Sequence, residues 1–268
     1  MTSTDSAFAG SIPEIYDHCL GPLLFEPYAR DLASRAARLE PAHILETAAG
    51  TGIVTAELAR QLPDADIVAT DLNQGMIDVA ASAHAGDRIR FIAADAQSLP
   101  FADSEFDLVI CQFGVMFFPD RVLAYREARR VLRDGGTFLF NAWLGLGGNR
   151  LADLTHHAVA ELFPDDPPGF LGRAPYGYSD PSTIERELES AGFRDIGIEE
   201  VTFPSRATNA RQIATGFCQG SPLRAEIEQR DAGRLAEATG RATSAIEAEF
   251  GTGAVDATMA AHVVSATA

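Results

Sequence analysis

Five short apolar runs, His43 to Thr47, Asp66 to Thr70, Arg88 to Ala93, Phe106 to Cys111 and Thr137 to Trp143, alternate with stretches of helical periodicity from Leu39 onward. This alternation leaves few folds open. Each run is a strand whose parallel neighbour is reached through a right-handed helical crossover. The helices have legible ends. Asn73 is expected to cap one that carries Met76, Ile77 and Val79, and the helix holding Tyr125, Ala128 and Val131 is expected to stop at Asp134, Gly135 and Gly136. The loops are short, as compact βα units require.

After the fifth run the character changes. Residues 145 to 180 collect Gly145, Gly147, Gly148, Pro164, Pro167, Pro168, Gly169, Gly172, Pro175 and Gly177 with the aromatics Phe163, Phe170, Tyr176 and Tyr178, and read as an insertion over a site. Asp180 and Pro181 start a helix, Gly192 ends it, and Asp195 to Phe203 reads as a sixth strand. Residues 208 to 250 look helical, and Ala257 to Ala266 reads as a final antiparallel strand despite its alanines. There is no internal repeat and no low-complexity tract.

The chain's 268 residues suffice for a single α/β domain with its own core: a helical segment over 1–40, a binding core over 41–144, and caps over 145–180 and 208–250. Cys19, Cys111 and Cys218 are too scattered for a disulfide framework or a zinc site, which points to a reducing, cytoplasmic setting and no metal. Met1 to Ser11 lacks a positive charge ahead of an apolar run, and no stretch approaches 18 uninterrupted apolar residues, so neither targeting nor a membrane partner is expected. The net charge of -17 disfavours nucleic acid and anionic lipid as partners. All 21 basic residues are arginine, which excludes Schiff-base chemistry, pyridoxal phosphate anchoring and a P-loop lysine.

Strand one runs directly into Glu46, Thr47, Ala48, Ala49, Gly50, Thr51 and Gly52, and helical spacing follows through Ile53, Ala56, Leu58 and Leu62. A glycine turn between strand and helix lets a ligand approach backbone N–H groups, and Asp71, ending strand two, can accept hydrogen bonds from ribose hydroxyls. Two features argue against a dinucleotide. Glu46 would repel a pyrophosphate yet attract an ammonium, directly or through water, and Thr55 stands where the pyrophosphate fingerprint has its third glycine.

The segment Ile44 to Gly52 resembles the first motif of the class I S-adenosylmethionine-dependent methyltransferases. More of that pattern follows in order: Asp71, Leu72, Asn73, Gln74, Gly75 and Met76; then Asp95 and Ala96; then Leu99, Pro100, Phe101, Asp103, Phe106 and Asp107; then Leu132, Gly135 and Gly136. The likeness covers about residues 12 to 205 and is to the ubiquinone/menaquinone-biosynthesis-like branch of small-molecule methyltransferases. It implies a Rossmann-like, seven-stranded, mostly parallel sheet with an antiparallel final strand and helical cap insertions. It also implies S-adenosyl-L-methionine as cofactor, with Asp71 on the ribose, Leu72 or Met76 on the adenine, and Asp95 and Ala96 at the adenine edge. Glu46, Ala48, Gly50, Thr51 and Gly52 would meet the methionine end. Ala48 departs from the family, which usually has glycine there.

Cys111, Gln112 and Phe113 close strand four at its carboxyl end, where open α/β sheets hold ligands, and are expected among the cofactor-binding residues. Tyr16, Phe25 and Tyr28 precede the core in a segment that the resemblance implies folds over the cofactor, and Phe117, Phe118, Trp143 and Tyr176 are further candidates for an acceptor pocket or for the core. A general base, if the nucleophile needs one, is sought among His18, His156, His157 and Asp153. The expected activity is methyl transfer to oxygen or carbon of a small acceptor such as a phenol, quinol or secondary metabolite. A nicotinamide-dependent oxidoreductase and a catalytically silent cofactor-binding module are the alternatives. An arsenic-methylating reading of the cysteines lacks clustered thiols, and nothing in the sequence sets the oligomeric state.

Overall fold

The structure, a computed structural model, describes residues 12–84 and 86–268; the first eleven residues of the helical segment expected over 1–40 lie outside the described residues. In chain order the elements are α1 (Ile12–Ile15), a π-helical stretch (Tyr16–Phe25), α2 (Glu26–Ala37), β1 (His43–Thr47), α3 (Ile53–Gln61), β2 (Asp66–Asp71), α4 (Gln74–Ala83), β3 (Ile89–Ala93), β4 (Phe106–Gln112), α5 (Arg121–Val131) and β5 (Leu132–Trp143). There follow α6 (Arg150–Ala160), α7 (Phe170–Arg173), α8 (Pro181–Ala191), β6 (Arg194–Ala207), α9 (Ala210–Gln219), α10 (Leu223–Asp231), α11 (Leu235–Phe250) and β7 (Val255–Thr267). The seven strands form one sheet in the order β3-β2-β1-β4-β5-β7-β6. β1 to β5 pair in parallel, and β7 runs antiparallel to both of its neighbours.

Two compact units make up the chain. The sheet unit comprises Pro27–Trp143, Ser179–Val201 and Ala261–Ala268. On one face of its sheet, α2 presents Ala29, Leu32, Ala33 and Ala36, a helical stripe, in one buried cluster with Ile44 of β1, Leu108 and Ile110 of β4, Leu139 of β5 and Val263 of β7. Val54 and Leu58 of α3 and Ile67 of β2 complete it. On the other face Tyr125 of α5 packs its ring 5.6 Å from Phe138 and 5.7 Å from Phe140. Arg121 grips Glu187 in a bidentate pair (2.8 and 3.0 Å), which joins α5 to α8.

The second unit comprises the described residues to Glu26, with Leu144–Tyr178 and Thr202–Ala260, and so holds most of the segments expected as caps. Glu226 of α10 is its keystone. The carboxylate accepts the N–H groups of Gly169 (2.8 Å) and Phe170 (3.0 Å) at the start of α7 and binds Arg173 at 2.7 Å. Gly216 of α9 is required by close approach, since a Cβ there would stand 2.5 Å from Leu20 Cδ2 in the π-helical stretch. The glycine- and proline-rich run 145 to 180 is therefore more ordered than its composition suggests, carrying α6 and α7.

Two expected helix ends differ. α5 stops at Val131, three residues short of Asp134, because Leu132 already pairs with Phe106, and the register shift that follows places Gly135 at φ 78 inside the irregular start of β5. Asn73 does sit at the N-cap of α4, but its side chain makes no capping bond. The Asp71 carboxylate instead takes the Asn73 N–H at 2.8 Å. The sixth and seventh strands are longer than expected, and β7 keeps its alanines because Ala260, Ala261 and Ala266 are buried between neighbouring strands. Among the described residues, no helix is long and apolar enough to cross a membrane.

Candidate active site

The site begins where β1 ends. The chain turns through Ala48 (φ 53), Gly50 (φ 56) and Gly52 (φ 85) before α3 starts, and three left-handed residues within five make the turn tight. Two backbone bonds tie it down: Ala49 N–H to the Thr70 carbonyl and Gly52 N–H to the Ala49 carbonyl. Above Gly50 the space is open, with nothing within 4 Å of where a Cβ would be. At Gly52 a Cβ would stand 2.8 Å from His84 Cδ2, so that glycine serves packing.

Asp71 organises the turn. One carboxylate oxygen accepts the Gly50 N–H at 2.9 Å and the other the Asn73 N–H at 2.8 Å, which fixes the ends of β1 and β2 together. Burial pushes its pKa upward, and the N–H groups of Asn73, Gly50 and Leu72 pull it back. Each oxygen retains acceptor capacity for a ligand hydroxyl. Leu72, 60% exposed, offers a bare apolar surface next to it, whereas Met76 is buried and supports α4 from within. Asp95 and Ala96 lie just past β3, close to Asp71 in the chain path because Ala94 N–H bonds the Asp71 carbonyl; the Asp95 side chain is exposed and holds the Gln97 N–H.

Glu46 is only 1% exposed and accepts the Thr55 hydroxyl at 2.5 Å. Burial raises its pKa to about 8; the Thr55 bond opposes the rise and the Asp71 charge adds to it. Thr55, noted in the sequence only for not being glycine, is thus Glu46's anchor. Thr51 is buried as well.

At the carboxyl end of β4 the three candidates part company. Cys111 is fully buried, its thiol pushed up to about 12 by burial, and it lies beneath the turn rather than on it. Gln112 is half-buried, and its Oε1 has no hydrogen-bond partner. Phe113 adopts φ 49, its N–H donating to Asn141 Oδ1 at 2.8 Å, and its ring stacks 3.7 Å from Trp143 at an interplanar angle of 3°. Tyr28 packs edge-on against both rings and donates its hydroxyl to the Val201 carbonyl at 2.8 Å. All three aromatics are buried, so they build the floor of this region, while Phe117 remains half-buried in the turn beyond. Next to them, a Cβ at Gly114 would stand 2.4 Å from the Ala48 methyl, so the unusual alanine is accommodated by the absence of a side chain at 114.

Tyr16, Phe25, Tyr176, His18, His156 and His157 belong to the second unit. Tyr16 stacks on Phe25 at 4.8 Å, Tyr176 is buried, and His18 is exposed. His157 bonds Asp153 with its Nδ1, and burial, with the neighbouring His157, lowers the pKa of His156. The three thiols are buried and free, each pushed upward by burial, which suits packing rather than metal or arsenic ligation. Two polar residues in the strands escaped sequence reasoning. Asn141 interrupts the apolar run Phe138 to Trp143, a signal in plain view. His262 donates its Nε2–H to the Ser179 carbonyl (2.9 Å), since a carbonyl only accepts, and leaves Nδ1 buried without a partner.

A family model described as "Methyltransferase domain" matches residues 45–140. An uncharacterised protein of Mycobacterium tuberculosis is 36% identical over 59% of this chain, and the match spans 55% of that protein's length. A malonyl-[acyl-carrier protein] O-methyltransferase of Dechloromonas aromatica is 32% identical over 77% of this chain and 74% of its own. The ubiquinone/menaquinone biosynthesis C-methyltransferase UbiE of Hahella chejuensis is 40% identical over 37% of this chain and 41% of its own. Among solved structures, the phosphoethanolamine N-methyltransferase 2 of Haemonchus contortus in complex with S-adenosyl-L-methionine shares the fold, with a TM-score of 0.58 at 14% identity over 95% of this chain and 56% of that one.

The sheet order, the glycine turn and the acid ending β2 define a class I S-adenosylmethionine-dependent methyltransferase. With these relatives, the chain belongs to that family. The nicotinamide alternative is not favoured.

Proposed function

We propose that the protein transfers a methyl group from S-adenosyl-L-methionine to a small-molecule acceptor, at oxygen or carbon of a phenol, quinol or secondary metabolite. The observation that carries the cofactor half of this reading is Asp71, buried, with one oxygen on the Gly50 N–H of the open glycine turn and the other on the Asn73 N–H that opens α4. The donor set suits the cofactor: Asp71 for two ribose hydroxyls, exposed Leu72 for an adenine face, the exposed Asp95 carboxylate for an amino group, and the Glu46 acid for the charge of an ammonium. When bound, the cofactor supplies an activated methyl on a sulfonium whose departure leaves a neutral thioether. The chain's own task is alignment, with the nucleophile held about 3–3.5 Å from the methyl carbon, and exclusion of water. At 1% exposure Glu46 acts on the ammonium through its field or a water rather than by open contact.

Within the second unit, the aromatics Tyr16, Phe25 and Tyr176 and the histidines His156 and His157 are the groups to vary in a search for acceptor specificity. Calorimetry with S-adenosylhomocysteine and with NAD tests the cofactor half, and affinity for NAD alone would end it. An acceptor screen with labelled cofactor, read by mass spectrometry for the gain of one methyl group, tests the rest.

A further inference from the structure

Three buried polar atoms of the sheet unit lack a hydrogen-bond partner: His262 Nδ1 of β7 and, on two directly paired strands, Gln112 Oε1, closing β4, and Asn141 Nδ2, near the end of β5. Gln112 and Asn141 are register partners, so their side chains leave the same face of the sheet, from strands about 4.8 Å apart. The Asn141 amide is fixed in orientation. Its oxygen receives the Phe113 N–H, so the unpartnered atom is the nitrogen, a donor in a side chain that is 0% exposed. An unpaired buried donor is costly, because it has given up its bonds to water and gained none. Asn141 also holds Phe113, a bulky residue, in the left-handed region, and strain of that kind gathers at ligand sites.

The two atoms are complementary. Gln112 Oε1 wants a donor and Asn141 Nδ2 supplies one. A hydroxyl is the smallest group that satisfies both, since it donates once and accepts besides. A carboxylate would leave Gln112 without a donor, and an ammonium would leave Asn141 without an acceptor.

We propose that Gln112 and Asn141 together bind a hydroxyl group of the methyl acceptor, which assigns the acceptor to hydroxyl-bearing molecules. The inference rests on the methyltransferase reading for the word acceptor, but the binding it describes is testable apart from turnover.

The experiment uses the full chain saturated with S-adenosylhomocysteine, whose own affinity is measured first by calorimetry; failure there counts against the methyltransferase reading and not against this site. Phenol is then titrated while the side-chain amide resonances of 15N-labelled protein are followed. The Asn141 and Gln112 amides should shift with phenol but not with toluene or benzoate. Asn141→Asp keeps the acceptor for the Phe113 N–H and removes the donor, and should weaken phenol at least tenfold while homocysteine-cofactor affinity stays within twofold. Gln112→Met, at a half-buried position that tolerates the change, removes the acceptor and should weaken phenol likewise. An equal response to toluene, a response to benzoate alone, no phenol binding, unchanged phenol affinity in both variants, or a long-lived water on the Asn141 amide that phenol does not displace would each overturn the proposal.

Discussion

At the scale of single residues the site is a set of groups held away from their ordinary states. Glu46 is the clearest. Its pKa near 8 lies above the unfolded value of 4.5, so the folded chain binds this proton more tightly than the unfolded chain does. Stability from this group is therefore full below about pH 4.5 and is lost as pH rises toward 8. Glu46→Gln should flatten the pH dependence of urea midpoints across that window. The same logic predicts that binding a cation at the turn releases a proton near pH 7, because a nearby positive charge favours the carboxylate. Calorimetry of S-adenosylmethionine in buffers of different ionisation enthalpy reads the release, which Glu46→Gln should abolish. Asp71→Ala removes hydrogen bonds to a charged acceptor, worth about 1.5–3 kcal/mol each, and should lower homocysteine-cofactor affinity at least tenfold; an unchanged dissociation constant would put the ribose elsewhere.

At the scale of elements, the turns after β1 and β4 are built against each other. Ala48 occupies the left-handed region at φ 53, a conformation costing roughly 1–2 kcal/mol for a residue with a Cβ, and its methyl fills the place of a side chain at Gly114. Ala48→Gly should raise stability by about 0.5–1 kcal/mol once the greater freedom of glycine in the unfolded chain is subtracted. Gly114→Ala should cost at least about 2 kcal/mol, and the double variant should recover only part, since Cys111 Sγ would still lie 2.7 Å from the new Cβ. Thermal denaturation of the three variants decides it. The strands and the β1 turn were legible because alternation and a glycine pair between strand and helix are local signals. The burial of Cys111, Phe113 and Trp143 was not, because whether an aromatic at a strand end faces ligand or core depends on which helix packs over it, here Tyr28 of α2, a partner remote in sequence. Asn73 shows the same limit. A capping residue is visible in sequence, but not that its side-chain amide turns back toward Asp71, with Nδ2 3.5 Å from Oδ1, instead of capping the helix.

At the scale of the whole molecule, the net charge of -17 is a field as well as a count. S-adenosylmethionine carries one more positive charge than its demethylated product, so a chain this acidic should prefer the substrate form by long-range attraction. Raising salt from about 0.01 M to 1 M shortens the screening length from about 30 Å to 3 Å, and the ratio of the two affinities should fall accordingly. Competition binding at two ionic strengths measures that ratio, and a ratio independent of salt would confine the preference to buried contacts at the turn.

The order of strands carries a last consequence, for synthesis. β6 lies at the edge of the sheet and touches it only through β7, which begins some fifty residues later in the chain. While the ribosome is still making α9 to α11, β5 and β6 both wait with unpaired backbone edges that no earlier segment can fill. The charges Arg194, Asp195, Glu199, Glu200 and Arg206 along β6 then act as guards, discouraging a second nascent chain from pairing where β7 belongs.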